Sequence, residues 1–187
     1  YCIKCSFLIS LQPIKLILMI HITLPDGSVR EFNKNSTPMD VAMQISEGFA
    51  RNVISANFNG TTVETSTPLT TDGTLVLYTF NDDEGKKAFW HSSAHVLAQA
   101  ILEFHSNAKL TIGPAIDNGF YYDIDLGEEV ISEKDFDQIE QKFLELARGK
   151  HEFKLRAVSK ADALAYYKAE GNQYKVELIE NLTDGDI

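Results

Sequence analysis

Residues 19 to 80 alternate between apolar and polar positions in short runs that predict strands joined by tight turns. Apolar residues occupy every second position from Ile20 to Leu24, and Val29 and Phe32 follow a Pro25-Asp26-Gly27 turn. Alternation on both sides of a glycine-containing turn is typical of a β-hairpin. The first part of this region is therefore predicted to be a two-stranded hairpin.

A short helix and further strands are predicted to follow. Thr37 is a favourable N-cap and Pro38 a favourable first helical residue, and the helix is expected to stop near Gly48. Asn59-Gly60 predicts a second hairpin, and residues 74 to 80 predict a closing strand. A hairpin, one crossing helix and further strands within about 60 residues indicate a ubiquitin-like β-grasp domain.

Longer helical patterns begin after residue 81. The first helix is expected from Asp82 to Phe104, and Asn118-Gly119 then predicts a hairpin. Ser132 and Asp135 form an approximate capping box for a helix that ends at Gly149. One apolar stripe is predicted on that helix, made of Phe136, Ile139, Phe143 and Leu146.

The last 37 residues are less regular. Residues 151 to 158 alternate like a strand, and Ser159 is expected to cap a helix that stops at Gly171. The segment after Gly171 alternates like a strand but is also compatible with a short helix. We therefore expect an α+β protein with three parts: an extension at 1–18, a β-grasp domain at 19–80 and an α+β domain at 81–187.

The charge of the chain limits its functions. The net charge is −10, and residues 81–187 hold 21 Asp and Glu against 12 Lys and Arg. Since Lys and Arg dominate phosphate binding, the chain is not expected to hold nucleic acid by itself. Both cysteines, Cys2 and Cys5, precede residue 6, which leaves no disulfide in the rest and fits a reducing, cytoplasmic location.

Residues 1 to 18 are apolar but interrupted. Lys4, Pro13 and Lys15 break the run before it reaches the roughly 20 apolar residues of a membrane span, and no cleavage site of a secretion signal is visible. We interpret the segment as a leader or upstream extension without a part in function.

Two histidines four residues apart form the sharpest local feature, although their spacing alone is a weak signal. On a helix, His91 and His95 stand on one face and can converge on one metal, water or ester. Because that face continues through Ala98 and Leu102, it is expected to point inward or into a cleft. A hydrogen-bonded structural pair is the alternative. The helix lacks the glutamate of a His-Glu-x-x-His metalloprotease motif.

Two further residues are candidates for a site. Tyr122 follows the Asn118-Gly119 turn and could line a pocket, although an aromatic strand often serves the core. Lys175 could be a partly buried cation that orients a substrate, or an exposed edge residue. No P-loop and no Gly-x-Gly-x-x-Gly motif is present, so no nucleotide phosphate site is predicted.

A family resemblance covers essentially all of residues 19 to 187. The runs MIHITLPDGSVREF, TPMDVA and FNGTTV resemble the TGS module that opens threonyl-tRNA synthetases. The runs HSSAHVLAQAI, IGPAIDNGFYYDID and YKVELI resemble the second, proofreading domain of that family. A downstream Asp-x-Cys segment and a further His that the family carries are not in this chain, so residues 81–187 are expected to be a C-terminally truncated editing domain.

The resemblance implies a function and its residues. Members of the family ligate threonine to tRNA(Thr) with ATP, and this region would hydrolyse mischarged seryl-tRNA(Thr) at the tRNA 3′ end. His91, His95, Tyr122 and Lys175 match editing-site positions. One histidine would position or deprotonate water, Lys175 would stabilise negative charge, and Tyr122 would shape the pocket.

Cofactors and partners are implied in the same way. The resemblance implies no cofactor or metal for this region, and ATP, Mg²⁺ and Zn²⁺ for the catalytic core outside it. It implies tRNA(Thr) as partner, without DNA or membrane, and a homodimeric full-length enzyme.

Two other functions remain open. A free-standing, metal-dependent aminoacyl-tRNA deacylase would use the histidine pair as zinc ligands, although cysteine ligands are lacking after Cys5. A non-catalytic TGS interaction module is the other, and it would be expected beside nucleotide-binding motifs.

Overall fold

The computed structural model describes residues 18–149, 151 and 156–183. The chain divides into two compact units, Tyr1–Thr79 and Phe80–Ile187. Apart from Leu18, the predicted extension at 1–18 lies outside the described residues. None of the helices in the described part of the chain is long and apolar enough to span a membrane.

The first unit is a mixed five-stranded sheet with two short helices. Its elements are β1 (Met19–Thr23), β2 (Val29–Asn33), α1 (Pro38–Ile45), α2 (Glu47–Ala50), β3 (Val53–Phe58), β4 (Thr61–Val63) and β5 (Gly73–Thr79). The strand order is β2-β1-β5-β3-β4, in which β1 and β5 are parallel and the other neighbours antiparallel. This arrangement confirms the predicted β-grasp fold.

The core of this unit follows the predicted alternation. Ile20, Ile22 and Leu24 are all buried, and Ile22 packs with Leu75 of β5 and Val41 of α1 in one apolar cluster. Because alternate side chains of a strand point to one face, the sheet presents this apolar face to α1.

The end of α1 differs from the prediction. The helix ends at Ile45, and Gly48 lies inside the separate helix α2. The reason is Ser46, whose extended backbone closes α1 and whose Oγ accepts the Phe49 N–H at 3.0 Å as the N-cap of α2. A serine cap therefore sets the boundary that the glycine was expected to set.

The second unit combines four helices with a long, irregular hairpin. Its elements are α3 (Asp83–Phe104), β6 (Lys109–Leu110), β7 (Ala115–Ile116), β8 (Gly119–Phe120), β9 (Ile124–Asp125), α4 (Glu133–Arg148), α5 (Lys160–Ala169) and α6 (Gln173–Glu180). Strand β6 pairs with β9 and β7 with β8, so the two ladders are the outer and inner parts of one hairpin. The turn between β7 and β8 is Asp117-Asn118, one residue earlier than the predicted Asn118-Gly119, because Gly119 pairs with Ile116 as the first residue of β8.

Helices α3 and α4 share the apolar cluster of this unit. Ala100 and Ile101 of α3 pack with Ile139 of α4, and Phe143 and Leu146 lie against them. Three members of the predicted stripe therefore face the core. Phe136 does not: it precedes this contact by one turn and is 56% exposed.

Two predictions concern the segments at residues 151–158 and after Gly171. The segment after Gly171 is the helix α6, with Asn172 as its N-cap. The strand predicted at 151–158 is absent from residues 151 and 156–158, and residues 152–155 lie outside the described part of the chain.

Replacing Thr37 tests the helix cap in the first unit. Thr37 and Asp40 form a reciprocal capping box, so Thr37→Ala leaves helix donors unsatisfied and is expected to lower the free energy of unfolding by about 1 kcal/mol. Urea denaturation, followed by NMR resonances of this unit, measures the change. Thr70→Ala, at an exposed position, is the matched control and should stay within about 0.5 kcal/mol of the wild type. Equal stability of the two variants would contradict the assigned cap.

Candidate active site

The histidine pair lies in the middle of α3. The spacing of four residues places the rings perpendicular to each other with centroids 4.6 Å apart, and the Nε2 atoms are 3.0 Å apart. Both residues are exposed, whereas Ala94 and Ala98 of the same helix are buried. Because Ala98 lies on the same helix face as the two histidines, the imidazoles are accessible to solvent at the edge of a buried part of that face.

The ring contact restricts the protonation of the pair. At this distance one Nε2 donates a proton and the other accepts it, so the donor ring carries its lone pair on Nδ1. Partial burial lowers the pKa of His95, and the neighbouring His91 and the positive charge of Lys175 lower it further. These effects all disfavour the charged, imidazolium form of His95.

Lys175 approaches the pair from another element. It lies in the first turn of α6 and is half-buried, and this burial lowers the pKa of its ammonium group. Within the described residues, no carboxylate lies at ion-pair distance from it. A half-buried cation that has no carboxylate beside it favours an anionic group in the same place.

Tyr122 lies on the hairpin between β8 and β9. A Cβ added at Gly113 would come within 2.3 Å of Cδ2 of the Tyr122 ring, so the ring lies directly on the glycine backbone. Burial raises the pKa of Tyr122, and the nearby Tyr167 of α5 raises it further. A 6.3 Å ring contact between Trp90 and Phe120 connects the same hairpin to α3.

The structure thus brings His91 and His95 into direct contact and places the Lys175 charge near enough to lower the pKa of His95. The Tyr122 ring packs on Gly113. Sequence reasoning missed Gly113 and Asn172, although an Asn at the start of a helical run is a recognisable N-cap. In the described part of the chain, no three His, Cys, Asp or Glu side chains are grouped to hold a metal ion.

Substituting Gly113 tests the close packing of Tyr122. In Gly113→Ala the new methyl group overlaps the ring, so we expect the Tyr122 ring resonances to shift and the second unit to lose about 1–3 kcal/mol of stability. NMR and urea denaturation measure both effects. The control is Gly48→Ala in α2, where the nearest atom is 4.0 Å away and a small stabilisation is expected. Unchanged Tyr122 resonances in Gly113→Ala would show that the ring lies elsewhere.

The sequences of both units are similar to those of known proteins. Residues 20–79 match the family model described as TGS domain. The chain is 66% identical over 169 residues to the threonine-tRNA ligase of Flavobacterium johnsoniae, 50% to that of Cytophaga hutchinsonii and 47% to that of Desulfatibacillum aliphaticivorans. Each match covers 90% of this chain and 26% of the relative, so the chain spans about a quarter of the length of these relatives. The chain therefore contains a TGS domain and is homologous to the N-terminal region of threonine-tRNA ligases.

Proposed function

We propose that residues 81–187 belong to an editing site that hydrolyses seryl-tRNA(Thr). The observation that carries the proposal is the grouping of a hydrogen-bonded imidazole pair, His91 and His95, with the half-buried cation of Lys175. This combination suits attack of water on an ester, a reaction that needs a base and a positive charge near the developing oxyanion. The homology to threonine-tRNA ligases supplies the ester, an aminoacyl-tRNA.

Serine is the amino acid that such a ligase must remove. A pocket that binds the threonine hydroxyl also admits serine, which lacks only a methyl group, and one such group discriminates by about 1–3 kcal/mol. A second site that hydrolyses the serine ester corrects this error.

The histidine pair acts as one unit in the mechanism that we propose. One imidazole donates from Nε2 to the other, and its Nδ1 removes a proton from water as the water oxygen attacks the ester carbonyl. The Lys175 ammonium stabilises the oxyanion, and the ester C–O bond then breaks. The imidazolium returns the proton to the departing ribose oxygen, which releases serine and uncharged tRNA. Tyr122 shapes the pocket.

The remainder of the ligase supplies what this chain lacks. With a net charge of −10, the chain is a poor ligand for tRNA alone, so we propose that other parts of the ligase hold the tRNA and present its 3′ end. We assign threonine ligation, with ATP, Mg²⁺ and Zn²⁺, to those parts as well. A homodimeric, cytoplasmic enzyme completes the proposal.

Removing either histidine tests the function. In the ligase that carries this region, His91→Ala and His95→Ala are expected to slow seryl-tRNA(Thr) deacylation by about 10²- to 10⁴-fold while threonine charging stays nearly unchanged. Gln99→Ala, exposed on the same helix, is the matched control and should deacylate like the wild type. Wild-type deacylation by both histidine variants would make the pair purely structural.

The acidic limb of the pH profile gives a second test. Since the pKa of His95 lies below 6.5, protonation should abolish deacylation only at a pH below that value. Lys175→Met removes a positive charge that lowers this pKa, so its acidic limb should move to higher pH. Single-turnover rates between pH 5 and 8 measure the limb. An acidic limb above pH 6.5 in the wild-type enzyme would contradict His95 as the base.

A further inference from the structure

Two hydrogen bonds join the start of α6 to the outer ladder of the hairpin. The side chain of Asn172 donates from Nδ2 to the Leu110 carbonyl at 3.1 Å. The Tyr174 hydroxyl donates to Oδ2 of Asp125 at 2.8 Å. Leu110 lies on β6 and Asp125 on β9, and these two strands pair with each other. Both anchors therefore lie on one short ladder, far from α6 along the chain.

The side chains of Asp125 and Asn172, which make these two bonds, are each held in a defined orientation by a second hydrogen bond. Oδ1 of Asp125 accepts the Gly127 N–H at 2.9 Å, which leaves Oδ2 for Tyr174. Oδ1 of Asn172 accepts the Lys175 N–H at 3.1 Å, so one side chain caps α6 and connects it to β6. The two bonds thus act on residues that precede Lys175 by three positions and by one position at the start of the helix.

Helix α6 needs such anchoring. It has eight residues, and isolated helices of this length are not stable in water. A lysine side chain is long and flexible, so its ammonium group stays in one place only when its backbone is fixed.

We propose that Asn172 and Tyr174 are positioning residues, which lock the first turn of α6 to the β6–β9 ladder and so hold the Lys175 ammonium beside His95. We call these two hydrogen bonds, from Asn172 to Leu110 and from Tyr174 to Asp125, the clamp. Its consequence for catalysis rests on the proposed editing function. The clamp itself is a property of the 187-residue chain and can be measured without any substrate.

The pKa of His95 is the readout of the clamp, because the Lys175 charge lowers it in addition to burial and the neighbouring His91. Tyr174→Phe removes only the hydroxyl, and Asn172→Ser keeps an N-cap oxygen but loses the donor to Leu110. In each variant the ammonium group is less fixed, so the His95 pKa should rise part of the way toward its value in Lys175→Met. NMR titration of the imidazole resonances measures it.

A matched control separates the clamp from a general loss of structure. Tyr166→Phe removes an exposed hydroxyl from the neighbouring helix α5 and should leave the His95 pKa unchanged. The proposal is contradicted if Tyr174→Phe and Asn172→Ser both keep the wild-type pKa of His95. It is also contradicted if Lys175→Met fails to raise the pKa of His95.

Deacylation by the ligase tests the catalytic consequence. A displacement of a catalytic group on the order of 1 Å costs roughly 10²-fold, so Tyr174→Phe and Asn172→Ser should lower kcat by about 10- to 100-fold with little change in KM. If the His95 pKa shifts but Lys175→Met deacylates at the wild-type rate, the clamp stands and the editing role of Lys175 fails. If Lys175→Met abolishes deacylation and both clamp variants have wild-type kcat and His95 pKa, the clamp fails and the editing function stands.

Discussion

The contact between the Nε2 atoms of His91 and His95, 3.0 Å apart, is the interaction on which the proposed chemistry depends. It exists because both residues belong to one rigid helix, which also buries Ala94, Ala98 and Ala100 in the second unit. The small side chains allow close approach of neighbouring elements, while the histidines remain accessible. A helix that contributes to the core therefore also fixes the relative orientation of two titratable rings.

The positive charge beside the pair depends on quite different parts of the chain. Lys175 belongs to a short helix that hydrogen-bonds to the β6–β9 ladder, and Tyr122 belongs to the hairpin that contains this ladder. The hairpin thus has two tasks, since it supports the lysine and carries the tyrosine. Its own shape depends on Gly113, where a methyl group would meet the Tyr122 ring.

Local signals explain what the sequence predicted well. Asn59-Gly60 and Asn118-Gly119 place positive backbone φ angles at glycines, and Thr37 and Ser159 cap their helices through their own hydroxyl groups. Ser46 was missed because the helix was expected to continue to Gly48. The exposure of Phe136 and the two anchors of α6 depend on contacts between distant segments, which no local pattern encodes.

The two units carry different kinds of information about function. The TGS domain shows a family relationship without revealing a reaction, whereas the second unit holds the residues that could carry one. The central claim is that this site removes serine and spares threonine. Single-turnover hydrolysis of seryl-tRNA(Thr) and threonyl-tRNA(Thr) by the ligase that carries this region tests it most directly. The account predicts much faster hydrolysis of the serine ester, and equal rates for the two esters, or no hydrolysis of either, would contradict it.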